Sequence, residues 1–481
     1  MKKNPFKVTT SKCRHAALLS MTLLVGCAAP DFDRALQDAN ELARPVSGSA
    51  NASLASNAST RQELEKLSQR LLSAPLSPDG AAQLALANSP AFQSALAQGW
   101  EALAMARQRS LPGGVTFSFE RLREGGDLEI GRLLSVGLFD LVTLPQRQSI
   151  WESTSQETRL RIASLIAQKV IDTKQAWIRA VAANEAEKYA KQVSDAAHAS
   201  AELARRMQMV GNFTKLQAAR QHLFYADATA RLASARQLNK SSRETLISQL
   251  GLTPLQALQL KLPERLPTLP KTPRTVSQIN ATMADQRIDL RLARLQLEIV
   301  AKSHGIDLAS SLTDIELGAR SDTKFESNSD RSRTRGYELD IRLPVFDWGA
   351  TRRSELDARL LAAAAHYEDV ARTAASQLRV SYGAYRNAHD QARHHRDEVV
   401  PLLKTISEEN LLRYNGMLIG VFELLADARE QIVGVSAAIE AQRDFWLADY
   451  ALNSTLIGLP SPSTAQESSR SAARAAEPAA H

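Results

Sequence analysis

Two cysteines in 481 residues allow at most one disulfide. One of them, Cys13, lies in a leader-like N-terminus, so a disulfide framework is excluded as the source of stability. Aromatic residues make up only 5% of the chain. With alanine abundant, that favours long helices over compact aromatic cores. Beyond the N-terminus no apolar run is long enough for a membrane helix. Motifs of chemistry are missing too: there is no His-Glu-x-x-His, no P-loop and no Gly-x-Gly-x-x-Gly. His389, His394 and His395 fall in one helical stretch, His394 and His395 on different sides, and read as exposed helix surface rather than zinc ligands. Asp140 and Asp347 read as strand ends and helix caps, not as acids. The expectation is a protein that is not an enzyme, with no metal and no cofactor.

What is present begins with the N-terminus. Lys2, Lys3, Lys7, Lys12 and Arg14 precede the apolar stretch from Ala16 to Val25, which closes on Leu24-Val25-Gly26-Cys27. A charged region, a short apolar region and a small-residue cleavage site describe a secretory signal over residues 1–26. Cysteine after Leu-Val-Gly also fits a bacterial lipobox, with Cys27 as the lipidated residue. Ala28 in place of an inner-membrane retention aspartate favours the outer membrane. Removing the leader takes away five basic residues and no acidic one, so the formal net charge falls from +7 to +2. The basic character belongs to the leader, and no basic patch with interleaved aromatics remains for nucleic acid.

The chain then repeats itself. Val210-Gly211-Asn212-Phe213 is echoed by Ile419-Gly420-Val421-Phe422 about 209 positions later. Leu138-Phe139-Asp140 recurs as Val345-Phe346-Asp347, and Gln249-Leu250-Gly251-Leu252 as Leu456-Ile457-Gly458-Leu459, both about 207 positions on. Ala91-Phe92-Gln93 lines up with Asp289-Leu290-Arg291 at an offset of about 198, so the copies differ in length mainly ahead of the Phe-Asp pair. Four motifs in one order make two copies of one unit: residues 76–253 and 274–459. They are joined by a Pro-rich linker without regular helix (254–273), preceded by a Ser/Asn/Ala tether (27–75) with a helical patch near Arg61 to Leu72, and followed by a disordered tail (460–481).

Each copy reads as helix, β-hairpin, long helix, turn and returning helix. The first helix runs from about Gly80 to Arg109, with Ser77 or Asp79 as N-cap, and its counterpart from about Val276 to His304. Hairpins follow at about 113–140 and 312–346. In the second, Ile315, Leu317 and Ala319 alternate with Asp314, Glu316 and Arg320, and Tyr337, Leu339, Ile341 and Leu343 with Glu338, Asp340 and Arg342. Period two over this length is a sheet with one apolar and one charged face. Each arm is close to the roughly 9 to 11 residues that cross a bilayer as a tilted strand. Phe117, Phe139, Tyr337, Phe346 and Trp348 sit towards the ends, where interfacial aromatics gather. Helical hairpins at about 147–251 and 351–458 begin with helices of roughly 90 to 100 Å at 1.5 Å per residue, reverse at glycine-rich turns and end at Gly251 and Gly458.

Four strands in lipid leave two edges of unpaired peptide groups, each costing several kcal/mol, so the strands span only by joining others in a closed barrel. With lipid outside, Asp314, Glu316, Arg320, Glu338, Asp340 and Arg342 face a wet lumen. These features together resemble the TolC family of outer-membrane efflux proteins over about residues 76 to 459: the lipobox, Leu84-Ala85-Leu86-Ala87-Asn88-Ser89-Pro90, the strand exit Leu343-Pro344-Val345-Phe346-Asp347-Trp348-Gly349 with Arg352 and Arg353, and the duplicated glycine turns. The resemblance implies a mainly α protein with a membrane β-barrel contribution: a homotrimer whose shared twelve-stranded barrel continues into a periplasmic α-barrel. It also implies a periplasmic membrane-fusion adaptor and an inner-membrane pump of the resistance-nodulation-division type. Val210, Gly211, Asn212, Phe213, Leu418, Ile419, Gly420, Val421 and Phe422 match the adaptor-contact tip, and Glu423 and Asp427 fall near an acidic gate. The function implied is a passive exit duct for small molecules or metal ions. The alternatives are the exit channel of a type I protein secretion system and a lipid-anchored periplasmic coiled-coil scaffold.

Overall fold

The computed structural model describes residues 31–111, 113–124, 127–275, 287–312, 314–325, 331–342 and 349–459. The leader, Cys27, the Leu343 to Trp348 strand exit and the tail from 460 lie outside them. The chain divides into two compact units. One holds residues Trp100–Ser155 and Thr313–Leu343 with the described residues up to Ala35. The other holds Leu36–Gly99, Gln156–Leu312 and the rest from Pro344 onwards.

The first unit is built on β1 (Thr116–Glu124), β2 (Asp127–Gly137), β3 (Asp314–Phe325) and β4 (Arg331–Arg342). They form one antiparallel sheet in the order β1-β2-β3-β4, so one hairpin from each sequence copy meets in the centre through β2 and β3. Leu134 pairs with Ala319 and Val136 with Leu317 across that junction. β1 and β4 are edges with no further strand beside them among the described residues. A short helix, Leu138–Val142, follows β2. Its Asp140 accepts from the Gly113 amide at 2.8 Å and from Arg147 Nη2 at 2.6 Å, so this aspartate ties the chain entering β1 to the start of the helix from Leu144.

The second unit is helical. In chain order the described helices of both units are α1 (Phe32–Ser47), α2 (Ala58–Leu72), α3 (Pro78–Asn88), α4 (Pro90–Ser110), α5 (the Leu138–Val142 turn), α6 (Leu144–Met209) and α7 (Lys215–Leu250). They continue with α8 (Pro254–Gln259), α9 (Ile288–Leu312), α10 (Ala350–His394), α11 (Val400–Asn415) and α12 (Val421–Ile457). The core gathers where α3, α6 and α7 meet: Leu84, Ala85, Trp177, Val181, Leu246 and Leu250 are buried together, and Trp177 Nε1 donates to the Leu76 carbonyl at 2.8 Å. A second cluster joins Tyr385 of α10 to Phe445 and Leu452 of α12. Between them Asp449 is buried, which pushes its carboxyl above the ordinary range while Arg274, 3.2 Å away, opposes the shift.

The repeat predicted from sequence is visible in the ends of the returning helices. α7 and α12 both close on a glycine in the left-handed region, Gly251 at φ 66° and Gly458 at φ 75°. Both are also pressed against the other helix of their copy. A Cβ at Gly251 would stand 2.6 Å from Ser89 Cα, and one at Gly458 would run into the Asp289 carboxylate. Neither site accepts a side chain, for conformational and for steric reasons.

Five expectations are corrected. The tether is a packed segment: Phe32, Ala35, Leu36, Ala39 and Ala43 bury one stripe of α1. The chain after it is pinned by reciprocal bonds between Asn40 and Ala52 (2.8 and 2.9 Å) and by Gln93 to Ala55 and Ser53. The helix expected over Gly80 to Arg109 is two, α3 and α4, because Pro90 gives no amide hydrogen and forces Ser89 to ψ 113°; Ser77 is the N-cap of α3. Residues 254–273 contain α8 and act as a strap, with Pro267 accepting from Gln442 and Trp446. The second long helix is interrupted by a π turn, His395–Val399. Finally, His389 is fully buried, with Nε2 3.3 Å from the Pro270 carbonyl and its ring on Phe445, whereas His394 remains on the surface. Of the helix expected from Val276, residues 276–286 lie outside the described residues and α9 begins at Ile288.

Candidate functional site

Alternation along the strands sorts the sheet into two chemically distinct faces. On one, Phe117 stands in the same row as Leu134, Ala319 and Tyr337, and Leu317 pairs with Leu339 and Ile315 with Ile341. Phe117 is 63% exposed and Tyr337 91% exposed. Apolar surface of this extent on show is the mark of an interaction or membrane surface. No described helix is long and apolar enough to cross a membrane.

The opposite face carries the predicted wall residues. Arg320 of β3 donates to Asp322 Oδ2 at 2.9 Å, and its two terminal nitrogens reach Glu338 of β4 at 3.8 Å and Glu120 of β1 at 3.9 Å. One guanidinium thus spans three strands. Gly131 of β2 makes the span possible, since a Cβ there would lie 3.3 Å from both Asp322 Oδ1 and Glu120 Cβ. Glu316 accepts from Ser135 Oγ at 3.4 Å and pairs in register with Asp340. Asp314 pairs with Arg342 along the backbone, and their side chains lie outside the described residues. Glu316, Arg320, Glu338 and Asp340 therefore fall on one face, and the backbone register puts Asp314 and Arg342 at positions of the same parity. Glu120 and Asp322 belong to the same network and were not anticipated, although both have the right parity: Glu120 alternates with Phe117 and Phe119, and Asp322 lies two residues from Arg320.

The other predicted site is the pair of turns between the long and returning helices. In the first, Gly211 is left-handed at φ 80°, the Asn212 amide donates to the Met207 carbonyl at 2.9 Å, and Thr214 caps α7 through a capping box with Gln217. Phe213 is buried while Val210 is exposed. In the second, Met417 is left-handed at φ 59°, the Leu418 amide donates to the Arg413 carbonyl at 2.9 Å, and Gly420 is the N-cap of α12. Backbone state therefore matches Gly211 with Met417 and Thr214 with Gly420, three residues out of step with the Val-Gly-x-Phe text echo. The text similarity is coincident with the turn but not in register with it. Met417 and Leu418 are the most exposed apolar residues of this turn, at 93% and 76%, and Met417 was not among the predicted contacts. The side chains of Val421 and Phe422 lie outside the described residues.

The two candidate gate residues differ. Glu423 sits exposed in the first turn of α12. Asp427, one turn on, accepts a hydrogen bond from Asn410 Nδ2 of α11 and is engaged within its own hairpin. Behind it Arg429 stacks on Phe224 of α7 at 4.4 Å and donates to Gln221, which also accepts from Ser200 of α6. This contact links the first helical hairpin to the second.

No protein-family model matches the chain, and no curated protein does. Solved structures do. A membrane protein from Pseudomonas aeruginosa is 19% identical and superimposes with a TM-score of 0.63 over 82% of this chain and 93% of its own. CusC, described as forming a transmembrane channel, gives 0.62 at 16% identity over 81% and 94%. The CmeC outer membrane channel of Campylobacter jejuni gives 0.61 at 15% identity over 88% and 92%. The duplicated helical hairpins and the four-stranded sheet place this chain in the fold of the TolC-like outer-membrane channels.

Proposed function

We propose that this protein is the outer-membrane channel component of a tripartite efflux system, a passive exit duct driven by an inner-membrane pump of the resistance-nodulation-division type through a periplasmic adaptor. The observation that carries this reading is the open four-stranded sheet, apolar over part of one face and ionic on the other, whose edges β1 and β4 have no strand partner among the described residues. In water such edges are solvated. In hydrocarbon each unpaired amide or carbonyl costs several kcal/mol, so a sheet with this apolar face enters lipid only when copies close edge to edge. Three copies give a barrel of twelve strands, even in number as such barrels are. The face bearing Arg320, Glu338 and Asp340 then lines the duct and holds water in it.

The same reading assigns the turns around Gly211 and Met417 to the adaptor, Glu423 to a ring of carboxylates on the axis, and Cys27 to the lipid anchor. Like charges converging on an axis select for cations. A lipid-anchored scaffold predicts the opposite at the sheet, because it gives no reason for Phe117 and Tyr337 to stay exposed. Planar-bilayer recording with the purified full-length protein tests the proposal. Stepwise conductance from a species that migrates as a trimer is expected, and a monomer that never conducts would overturn it.

A further inference from the structure

The apolar face of the sheet changes character part of the way along its strands. Beyond the row of Phe117 and Tyr337, towards the hairpin turns, come Arg132 and Arg335, then Arg121 and Arg333, then Arg123 and Arg331. Three successive rows each hold two arginines. No aspartate or glutamate occupies this face on any of the four strands; Glu120, Glu129, Asp322, Glu338 and Asp340 all have the opposite parity. Five of the six arginines are exposed and Arg132 is half-exposed. Arg331 lies over the Phe325 ring at 5.5 Å, and Arg333 Nε donates to Ser321 Oγ at 3.4 Å, so both side chains lie along this face. Among the described residues none of the six forms an ion pair, whereas Arg320 on the other face reaches three carboxylates.

Arg331, Arg333 and Arg335 follow one another on the same side of β4 with no acidic partner among the described residues, and an apolar band that ends in a belt of arginines has a natural neighbour. Guanidinium forks match phosphate bidentately, and their aliphatic stems lie along the apolar surface below. The three rows span about 13 Å along the strands, or about 10 Å along the membrane normal for strands tilted by roughly 40°. That is deeper than the roughly 5 to 7 Å of a phospholipid headgroup layer. It suits phosphates carried at more than one depth on a sugar backbone. Five of the six arginines belong to the edge strands β1 and β4. If the sheet closes with its copies, as the proposed function requires, Arg121 and Arg123 of one copy come beside the β4 arginines of the next.

We propose that this belt binds the phosphorylated sugar headgroup of outer-leaflet lipopolysaccharide at the junctions between copies. The inference rests on the channel reading, in which the hairpin turns, at the opposite ends of the strands from Thr116 and Gly137, face outwards. Native mass spectrometry of the full-length protein in detergent, offered diphosphoryl lipid A or phosphatidylglycerol, tests it. Lipid A is expected to be retained at least about fivefold better than phosphatidylglycerol and to resist displacement by millimolar inorganic phosphate. A variant with Arg121→Gln, Arg123→Gln, Arg331→Gln, Arg333→Gln and Arg335→Gln is expected to lose about tenfold in retention, with the matching lysine variant in between. Equal retention by the glutamine variant, equal retention of phosphatidylglycerol, or displacement by phosphate overturns the proposal. Should the glutamine variant fail to assemble, the lysine variant and the two-lipid comparison decide. Conductance measured on the same samples separates the two readings: a conducting trimer that ignores lipid A defeats this inference alone, and a monomer without conductance defeats the channel.

Discussion

At the scale of single residues, glycine and cysteine carry the sharpest consequences. Gly251 needs φ 66° and has Ser89 Cα where a Cβ would go, whereas Gly211 needs φ 80° but faces open space. Gly211→Ala meets only the left-handed penalty of about 1 kcal/mol, while Gly251→Ala adds a backbone clash and is expected to cost about 2 to 4 kcal/mol. Thermal unfolding of the two variants in detergent checks this, and equal losses would mean that the α3–α4 junction yields. Gly251 was legible in the sequence because a glycine ending a helical pattern is a strong stop signal. Its contact with Ser89 was not, because the two lie far apart in the chain. Cys27 is a separate case. If it is the acylated residue of the lipobox, Cys27→Ser loses incorporation of labelled palmitate while the protein still assembles; labelling that persists refutes the assignment.

Elements are legible in the sequence where a period is long and obscured where one residue breaks it. The hairpins, the long helices and both returning helices emerged from alternation and from the 3.6-residue pattern. Pro90 and Pro401 are such breakers. Pro401 has no amide hydrogen for the Asp397 carbonyl, and the chain accommodates it by widening the preceding turn, in which the Val400 amide donates to His395 five residues back. Pro401→Ala restores the missing donor. Closure of the turn to α geometry is expected, with stability raised by about 1 kcal/mol and slower amide exchange over residues 395–401; exchange that stays as fast would show that packing, not Pro401, holds the π turn. α1 was missed for another reason. Its buried stripe is mostly alanine, which leaves the segment looking like polar, small-residue linker although the spacing of Phe32, Ala35, Leu36, Ala39 and Ala43 is helical.

For the whole molecule, the duct reading makes charge on the axis measurable. Glu423 is exposed with no ion pair among the described residues, while Asp427 is held by Asn410. In a trimer Glu423→Gln removes three charges from one constriction, and the cation-over-anion permeability ratio is expected to fall by about twofold or more in planar bilayers. Asp427→Asn is expected to change it less. Selectivity unaltered by Glu423→Gln would move the narrowest charged point elsewhere. The text echo at the turns also matters here. Aligning Gly211 with Gly420 puts Glu423 opposite Thr214, but the backbone puts it opposite Gln217, the residue that completes a capping box in the first copy.

The sequence by itself determined the duplication, the kind of each main element and the face on which each strand residue lies, because these depend on periods of two and 3.6 and on local stop signals. Only the tertiary structure decided that β2 pairs with β3, that one arginine gathers carboxylates from three strands, and that the turns match by backbone state rather than by text. Pairing and burial are set by residues distant in the chain, and no local period encodes them.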